Sequence, residues 1–180
     1  MKNILLLYCH PSPHKSRYNR RLQEVARKVP GLKIRDLYEL YPSMHVDEVA
    51  EQKALTEADL LVLQFPIYWF SAPALLKEWM DVVLQNGFAY GEGGTALVGK
   101  KTMIAVSTGA PEEAYRPGAT HGAKIESFLL PFRMTAEFCG MTVTQPFVTY
   151  GARSLDYSEI NARAEAFVEA VQAFASSEGA

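Results

Sequence analysis

The chain has 180 residues, enough to bury the core of one domain, and 48% of them are hydrophobic while 21% are charged. That composition is typical of an ordinary soluble globular protein. The net charge of −2 argues against a strong electric field that would recruit nucleic acid or an anionic membrane. The longest apolar stretch, residues 58–76, is interrupted by Gln64, Pro66 and Pro73, and it is too short and too broken for a membrane span.

The two cysteines, Cys9 and Cys139, have no metal-ligand spacing and are too few for a disulfide framework. We therefore expect no bound metal and a cytoplasmic location in which both thiols are reduced. No repeat, low-complexity tract or linker interrupts the sequence, so residues 1–180 are interpreted as one domain.

The first half of the chain alternates strand and helix. An unbroken apolar run at Asn3–Tyr8 predicts a buried strand, and Ser16 suits the N-cap of a helix that continues to about Val29. The alternating segment KIRDLY, residues 33–38, predicts a second strand. A loop and a helix follow, the helix over about residues 46–57.

The second half of the chain repeats this alternation. Because parallel neighbours need long crossover connections, five such repeats predict an α/β fold with a five-stranded parallel sheet and helices on both faces. In a sheet of this kind, ligands bind at the carboxyl ends of the strands. The elements predicted here are a strand at residues 58–66, a helix from about Pro73, a strand at 100–108, a helix over 123–139, a strand at 141–151 and a closing helix over 156–176.

The loop after the first predicted strand, HPSPHKSRYN at residues 10–19, leads into a helix N-terminus. Backbone amides and the helix dipole favour a phosphate group there, with Ser16 and Asn19 as side-chain donors. The loop contains neither GxGxxG nor GxxxxGK[ST], which argues against a standard dinucleotide site or a nucleoside triphosphatase. A helix cap without any ligand explains the same residues equally well.

The loop FPIYWFSAP, residues 65–73, places four aromatic residues beside two prolines. Such a cluster could form the wall of a site for a planar, apolar cofactor. Trp69 and Phe70 could equally cap the core or a subunit interface.

The loop after the fourth predicted strand begins with STGA, residues 107–110, whose small side chains leave consecutive backbone N–H groups accessible. A planar, electron-accepting ring could lie against it. Tyr115, a phenol donor, and His121, an acid–base group, follow in the same loop. Taken alone, the pair is equally typical of an ordinary loop and helix start, but three loops that suit a cofactor favour a binding site.

These segments resemble the NAD(P)H:quinone oxidoreductase family of flavodoxin-like flavoproteins. QFPIYWFSAPALLKEWMDVVLQNGFAYG, residues 64–91, is similar to the family pattern F-P-x-x-W-F-x-x-P-x-x-L-K-x-W followed by G-F-A-Y. STGAPEEAY with the later His121 and Gly122 is similar to its T-T-G-G…Y…H-G segment, and HP…S…N to its phosphate loop. The resemblance covers most of residues 3–150. It is strongest to short bacterial members, which include ancillary oxidoreductases of glutathione-gated potassium-efflux systems.

The resemblance implies a flavin site built from all three loops. Tyr115 and His121 fall on a pair proposed in some members to stabilise charge on the reduced flavin. Ser107 and Ala110 replace the family's first Thr and second Gly, and because both are small we expect the loop geometry to be kept. The implied flavin contacts are His10, Ser16, Tyr18 and Asn19 at the phosphate and ribityl chain, Pro66, Ile67, Trp69 and Phe70 beside the isoalloxazine ring, and Ser107, Thr108, Gly109 and Ala110 at its polar edge.

The resemblance also implies a ping-pong reaction, in which NAD(P)H delivers a hydride to the flavin and a quinone-like acceptor then takes two electrons. FMN is expected rather than FAD, since the chain is shorter than the FAD-using relatives, and a homodimer is expected because many relatives form one. Two alternatives stay open. One is a regulatory subunit of a membrane potassium-efflux transporter, which would lie at the inner face of the membrane. The other, disfavoured by the small net charge, is a flavodoxin-type electron carrier.

Overall fold

The computed structural model describes residues 2–176, whose strands form one parallel sheet. The strands are β1 (Ile4–Tyr8), β2 (Leu32–Asp36), β3 (Leu60–Pro66), β4 (Lys101–Ser107), β5 (Thr142–Val143) and β6 (Phe147–Thr149). Their order is β2-β1-β3-β4, and both β5 and β6 pair with the outer side of β4. From β1 the chain moves to β2 on one side and then returns to β3 and β4 on the other side. The strand order therefore reverses between β1 and β3, as in doubly wound α/β folds. The predicted α/β class and parallel sheet are confirmed.

The fifth predicted strand, residues 141–151, is interrupted, and its two pieces are β5 and β6. Thr142 pairs with Lys101, whereas Phe147 pairs with Ala105, so the register shifts by one residue across the break. Pro146 lies in the break, and it has no backbone N–H to give to the ladder. The two pieces therefore form one edge strand with a bulge.

Six helices cover the sheet within residues 2–176: α1 (Arg17–Ala26), α2 (Leu37–Leu40), α3 (Glu48–Glu57), α4 (Ala74–Val83), α5 (Ile125–Phe138) and α6 (Tyr157–Ser176). Ser16 is the N-cap of α1, as predicted, because its Oγ accepts a hydrogen bond from the Asn19 amide at 3.1 Å. The strand predicted at residues 33–38 is wrong at its end. Asp36 accepts a hydrogen bond from the Glu39 amide and starts the short helix α2 there.

The core lies on both faces of the sheet. Along β1, Leu5 and Leu7 face the layer of α3, α4 and α5, while Ile4 and Leu6 face the layer of α1 and α6. Every residue of β1, β3 and nearly all of β4 is buried, which explains why these strands are continuous apolar runs. Both faces being covered also leaves only the ends of the strands open to a ligand.

One carboxylate is fully buried beside the sheet. Glu51 of α3 accepts hydrogen bonds from Arg35 Nε of β2 at 2.7 Å, from the Tyr41 hydroxyl at 2.5 Å and from Trp79 Nε1 of α4 at 2.9 Å. A buried charge is stable only when it is paired and hydrogen-bonded in this way. Glu51 therefore holds β2, α3 and α4 in a fixed arrangement.

The Glu51→Gln variant is expected to lower the free energy of unfolding by about 3 kcal/mol, because it leaves the Arg35 guanidinium without its carboxylate partner. Urea unfolding followed by circular dichroism measures the change. Glu57→Gln is the matched control, since the Glu57 side chain is 51% exposed and its pairs with Lys33 and Lys53 lie at the surface. The control is expected to change stability by less than about 0.5 kcal/mol. Equal stability of the two variants would contradict the assigned role of Glu51.

Candidate functional site

A cavity of about 550 Å³ opens where the carboxyl ends of β1, β3, β4 and β6 meet. Its size lies within the range of small-molecule and cofactor sites. Eight predicted flavin contacts line it: His10, Ser16, Asn19, Pro66, Ile67, Ser107, Thr108 and Gly109. Six lining residues were not singled out from the sequence: Ser12, Lys15, Arg17, Tyr68, Ala152 and Arg153.

Asn19 joins the first loop to the end of β4. Its buried side-chain amide donates to Ser16 Oγ at 3.0 Å and to Ser107 Oγ at 2.9 Å. The two hydroxyls and the amide thus form one network across the floor of the cavity. This network fixes the N-terminus of α1, where a phosphate is favoured, relative to the loop that begins at Ser107.

His10 is a neutral side chain at the wall of the cavity. Its Nδ1 accepts a hydrogen bond from the Ser12 amide at 3.1 Å, so the neutral ring carries its proton on Nε2. Burial, together with the nearby charges of Arg153 and His14, lowers the pKa of His10 to about 4. Near neutral pH the imidazole is therefore an uncharged hydrogen-bond donor to the site.

The loop at residues 107–110 is fixed by hydrogen bonds to its carbonyl groups, while two of its backbone amides have no partner in the described part of the chain. Thr108 Oγ1 donates to the Ala110 carbonyl at 2.7 Å, and the amides of Gly151 and Ala152 donate to the carbonyls of Ala110 and Thr108. Within residues 2–176, the amides of Gly109 and Ala110 donate to no other group. Of these two residues Gly109 lines the cavity, and its unpaired donor suits an acceptor edge of a ligand.

The lining is cationic. Lys15, Arg17 and Arg153 line the cavity, and none of its described lining residues is aspartate or glutamate. The N-terminus of α1 adds the positive end of its dipole. The cavity therefore fits an anionic ligand such as a phosphate ester.

Two predicted flavin contacts have structural partners instead of a place on the cavity wall. Tyr18 is buried, and its hydroxyl lies 2.6 Å from Thr149 Oγ1, which joins α1 to β6. Ala110 packs against the core while its carbonyl accepts the bonds described above. Neither side chain lines the cavity.

Tyr115 and His121 are brought together, as the sequence suggested, but beside the cavity rather than on its wall. Their ring centroids are 4.7 Å apart, and the Tyr115 ring also contacts Phe128 and Tyr150. Burial raises the pKa of Tyr115. Tyr150 directly precedes Gly151, whose amide donates to the Ala110 carbonyl, so the aromatic cluster packs beside the loop at residues 107–110.

Trp69 and Phe70 form a tight turn with backbone angles that side chains rarely adopt. Their φ values are +49° and +64°, and the flanking residues Tyr68 and Ser71 exchange backbone hydrogen bonds of 2.9 and 3.0 Å. This geometry is that of a two-residue hairpin turn, where Asn and Gly are usual. Phe70 packs at 5.5 Å from the rings of His121 and Phe128, whereas the Trp69 indole is 93% exposed.

The sheet order defines a doubly wound α/β protein, and its carboxyl edge carries a cation-lined cavity. The chain belongs to the family described by the flavodoxin-like fold, which matches residues 2–175. The resemblance to NAD(P)H:quinone oxidoreductases is confirmed at the level of the family, since structures that bear quinone reductase names share this fold over nearly the whole chain.

Three solved structures illustrate the similarity. A thermophilic tryptophan halogenase from Streptomycin violaceusniger is 45% identical, with a TM-score of 0.90 over 93% of this chain and 97% of that chain. General stress protein 14 from Treponema denticola, in complex with FMN, is 36% identical, with a TM-score of 0.89 over 95% of this chain and 98% of that chain. An NADPH-quinone reductase from P. pentosaceus is 28% identical, with a TM-score of 0.86 over 98% of this chain and 99% of that chain.

Two structural features are absent from residues 2–176. No helix there is long and apolar enough to cross a membrane. No group of three or more His, Cys, Asp and Glu side chains in that range is arranged to hold a metal ion.

Replacing Trp69 by asparagine is expected to raise the free energy of unfolding by about 1 kcal/mol, because asparagine tolerates positive φ better and the exposed indole loses little packing. Trp69→Val is the opposing control, since a β-branched side chain at positive φ is strained, and it is expected to lower stability. Urea unfolding measures both. Equal stability of the Asn and Val variants would show that the turn is not strained.

Proposed function

We propose that this protein is a flavin-dependent NAD(P)H oxidoreductase, which holds FMN in the cavity at the carboxyl edge of the sheet and reduces a quinone-like acceptor. The observation that carries the proposal is the cavity itself, in which a cationic helix N-terminus, an apolar wall and a loop with free amides face the same space. The FMN complex and the quinone reductase name among the similar structures support the same cofactor and activity.

The donor set fits FMN from one end of the cavity to the other. The α1 N-terminus with Ser16 and Lys15 would hold the phosphate monoester. Pro66 and Ile67 supply an apolar wall for the flat ring. The amides of Gly109 and Ala110 would meet the acceptor atoms at its polar edge.

Bound FMN would supply the redox chemistry, accepting a hydride from NAD(P)H and returning two electrons to the acceptor. The chain contributes orientation and charge. Pro66 and Ile67 would exclude water from one face of the bound ring, and the network of Asn19 keeps the loops at a fixed separation. The amides of Gly109 and Ala110 are preorganised donors for negative charge at the ring edge.

The visible spectrum of the purified protein tests the proposal. Yellow protein that loses its flavin absorbance with NADH or NADPH, and regains it with a benzoquinone, is the expected result. Mass measurement of the extracted cofactor separates FMN from FAD. Parallel assays for tryptophan halogenation test the activity named for the 45% identical structure. A colourless protein that takes up no flavin would overturn the proposal.

We expect Tyr115→Phe and His121→Ala to slow flavin reduction by NAD(P)H about ten-fold, because the resemblance to the quinone oxidoreductase family implies that this paired Tyr and His stabilise negative charge on the reduced flavin. Stopped-flow reduction of fully flavin-loaded protein measures the rate. Tyr157→Phe is the matched control, since that hydroxyl is removed from a side chain that is 73% exposed at the start of α6. Unchanged rates in both site variants would remove Tyr115 and His121 from the reaction.

A homodimer is also part of the proposal, and the exposed side of α5 supports it. Leu130, Met134 and Phe138 lie four residues apart on α5 and are 50%, 60% and 70% exposed. Tyr90 extends this strip, with its ring 5.2 Å from that of Phe138. A contiguous apolar strip of this kind is typical of a subunit interface.

Light scattering of the eluted protein is expected to give twice the chain mass, and Phe138→Glu is expected to give a single chain because it places a charge in the apolar strip. Val49→Glu serves as the control, since Val49 is 77% exposed on α3 and should tolerate the same change. A wild-type protein that elutes as a monomer at working concentration would contradict the dimer.

The transporter-subunit and electron-carrier roles stay as predictions with their own tests. Co-purification with a potassium-efflux transporter would favour the first. A one-electron-reduced flavin that accumulates during reductive titration would favour the second. The quinone-linked two-electron reaction is preferred because the site is cationic inside a chain whose net charge is only −2.

A further inference from the structure

Arg153 is carried to the cavity by the loop that follows β6. The amides of Gly151 and Ala152 donate to the carbonyls of Ala110 and Thr108, at 2.9 and 2.8 Å, so this loop is fixed against the loop of free amides. The guanidinium lies above Gly109, where a Cβ added to the glycine would be 3.7 Å from Arg153 Nε. The Arg153 side chain therefore lies directly beside the backbone of Gly109.

The Arg153 guanidinium makes no hydrogen bond or ion pair to other groups within residues 2–176, although it is a strong planar donor. Other arginines around the site are engaged. Arg17 donates to the Leu155 carbonyl at 3.0 Å, and Arg163 donates to Thr149 Oγ1. The free donors of Arg153 thus face the same space as the free amides of the 107–110 loop.

We propose that Arg153 is the cation that stabilises the negative charge left at the polar edge of the flavin ring after hydride transfer, an inference that rests on the proposed function. NAD(P)H gives up a hydride and becomes NAD(P)⁺, and the ring that gains it without a proton carries one additional negative charge. An opposite charge close to that edge favours the reduced ring over the oxidised one. Tyr115, by contrast, does not line the cavity.

A cation at this position could instead contact the phosphate, and the two placements have different consequences. A contact to the ring edge stabilises the reduced flavin more than the oxidised flavin. It strengthens the binding of FMN and also of riboflavin, which has no phosphate. A phosphate contact strengthens FMN binding equally in both redox states and leaves riboflavin binding unchanged.

The test measures dissociation constants of the flavin-free protein for oxidised and dithionite-reduced FMN and riboflavin. In Arg153→Gln, binding of both reduced flavins is expected to weaken three- to ten-fold more than binding of the oxidised forms. By linkage the two-electron reduction potential of the bound flavin becomes more negative, by about 30 mV for a ten-fold difference. Arg153→Lys, which keeps the charge, should retain most of the difference.

Arg27→Gln is the matched control, because Arg27 is exposed at the end of α1 and away from the cavity lining. It should leave all four dissociation constants unchanged. Equal weakening of oxidised and reduced flavin, loss of FMN but not riboflavin binding, or a Lys variant that behaves like Gln would each overturn the inference. A wild-type protein that binds no flavin would overturn the proposed function as well, so the two failures are distinguishable.

An NMR titration of the flavin-free protein checks the position of Arg153 independently. The Arg153 charge lowers the pKa of His10, so Arg153→Gln is expected to raise that pKa while Arg27→Gln leaves it in place. A pKa of His10 that does not respond to Arg153→Gln would show that the guanidinium is away from the cavity, and the inference would fail.

Discussion

The parallel pairing of β3 with β1 on one side and β4 on the other is the constraint on which the whole site depends. Tyr8 lies opposite Gln64, and Pro66 lies opposite Ser107, so the three chain segments leave the sheet within two residues of one another. Because both faces of these strands are buried under helices, their carboxyl edge is where loops can gather around a ligand. The register of β1, β3 and β4 therefore determines where the cavity lies, and the loops determine its lining.

Hydrogen bonds between loops turn this shared edge into a defined pocket. The Asn19 side chain of α1 donates a hydrogen bond to Ser107 Oγ, and the Ala152 amide donates one to the Thr108 carbonyl. Each bond joins segments that are far apart in sequence, and each is buried or nearly so, where a hydrogen bond constrains geometry more strongly than at the surface. The first and third loops and the loop after β6 therefore act as one unit, although three different strands carry them.

Features encoded by local patterns were predictable from the sequence, and features created by tertiary proximity were not. Ser16 could be recognised as a helix cap because its bond goes to an amide three residues away. Asp36, three residues before Glu39, carried a similar local signal for α2 that the alternating pattern of KIRDLY concealed. Arg153 had no such signal, since a lone arginine in a loop acquires its place at the site through the pairing of β6 with β4.

The same distinction separates the parts of the candidate site. The residue blocks that resemble the quinone oxidoreductase family identified most of the cavity lining, since those blocks follow directly on the strands. They did not indicate that Trp69 would point to solvent or that Tyr115 would lie beside the cavity, because side-chain direction depends on turn geometry and on packing partners such as Phe128. Residue type and spacing predict a neighbourhood, and tertiary contacts then decide which atoms face the ligand.

Unfavourable local features are concentrated around this edge of the sheet. Trp69 and Phe70 adopt positive φ. In the described chain the buried Tyr8 hydroxyl at the end of β1, and the buried Gln64 amide paired with it in β3, have no hydrogen-bond partner. Each such feature costs about 1–3 kcal/mol, which a fold selected for stability alone would avoid. The fully satisfied Glu51 cluster, which joins β2, α3 and α4, shows that this chain satisfies buried polar groups where no ligand is expected. The uneven distribution of satisfied and unsatisfied groups is therefore a physical argument, separate from any resemblance, that the carboxyl edge is the working part of the molecule.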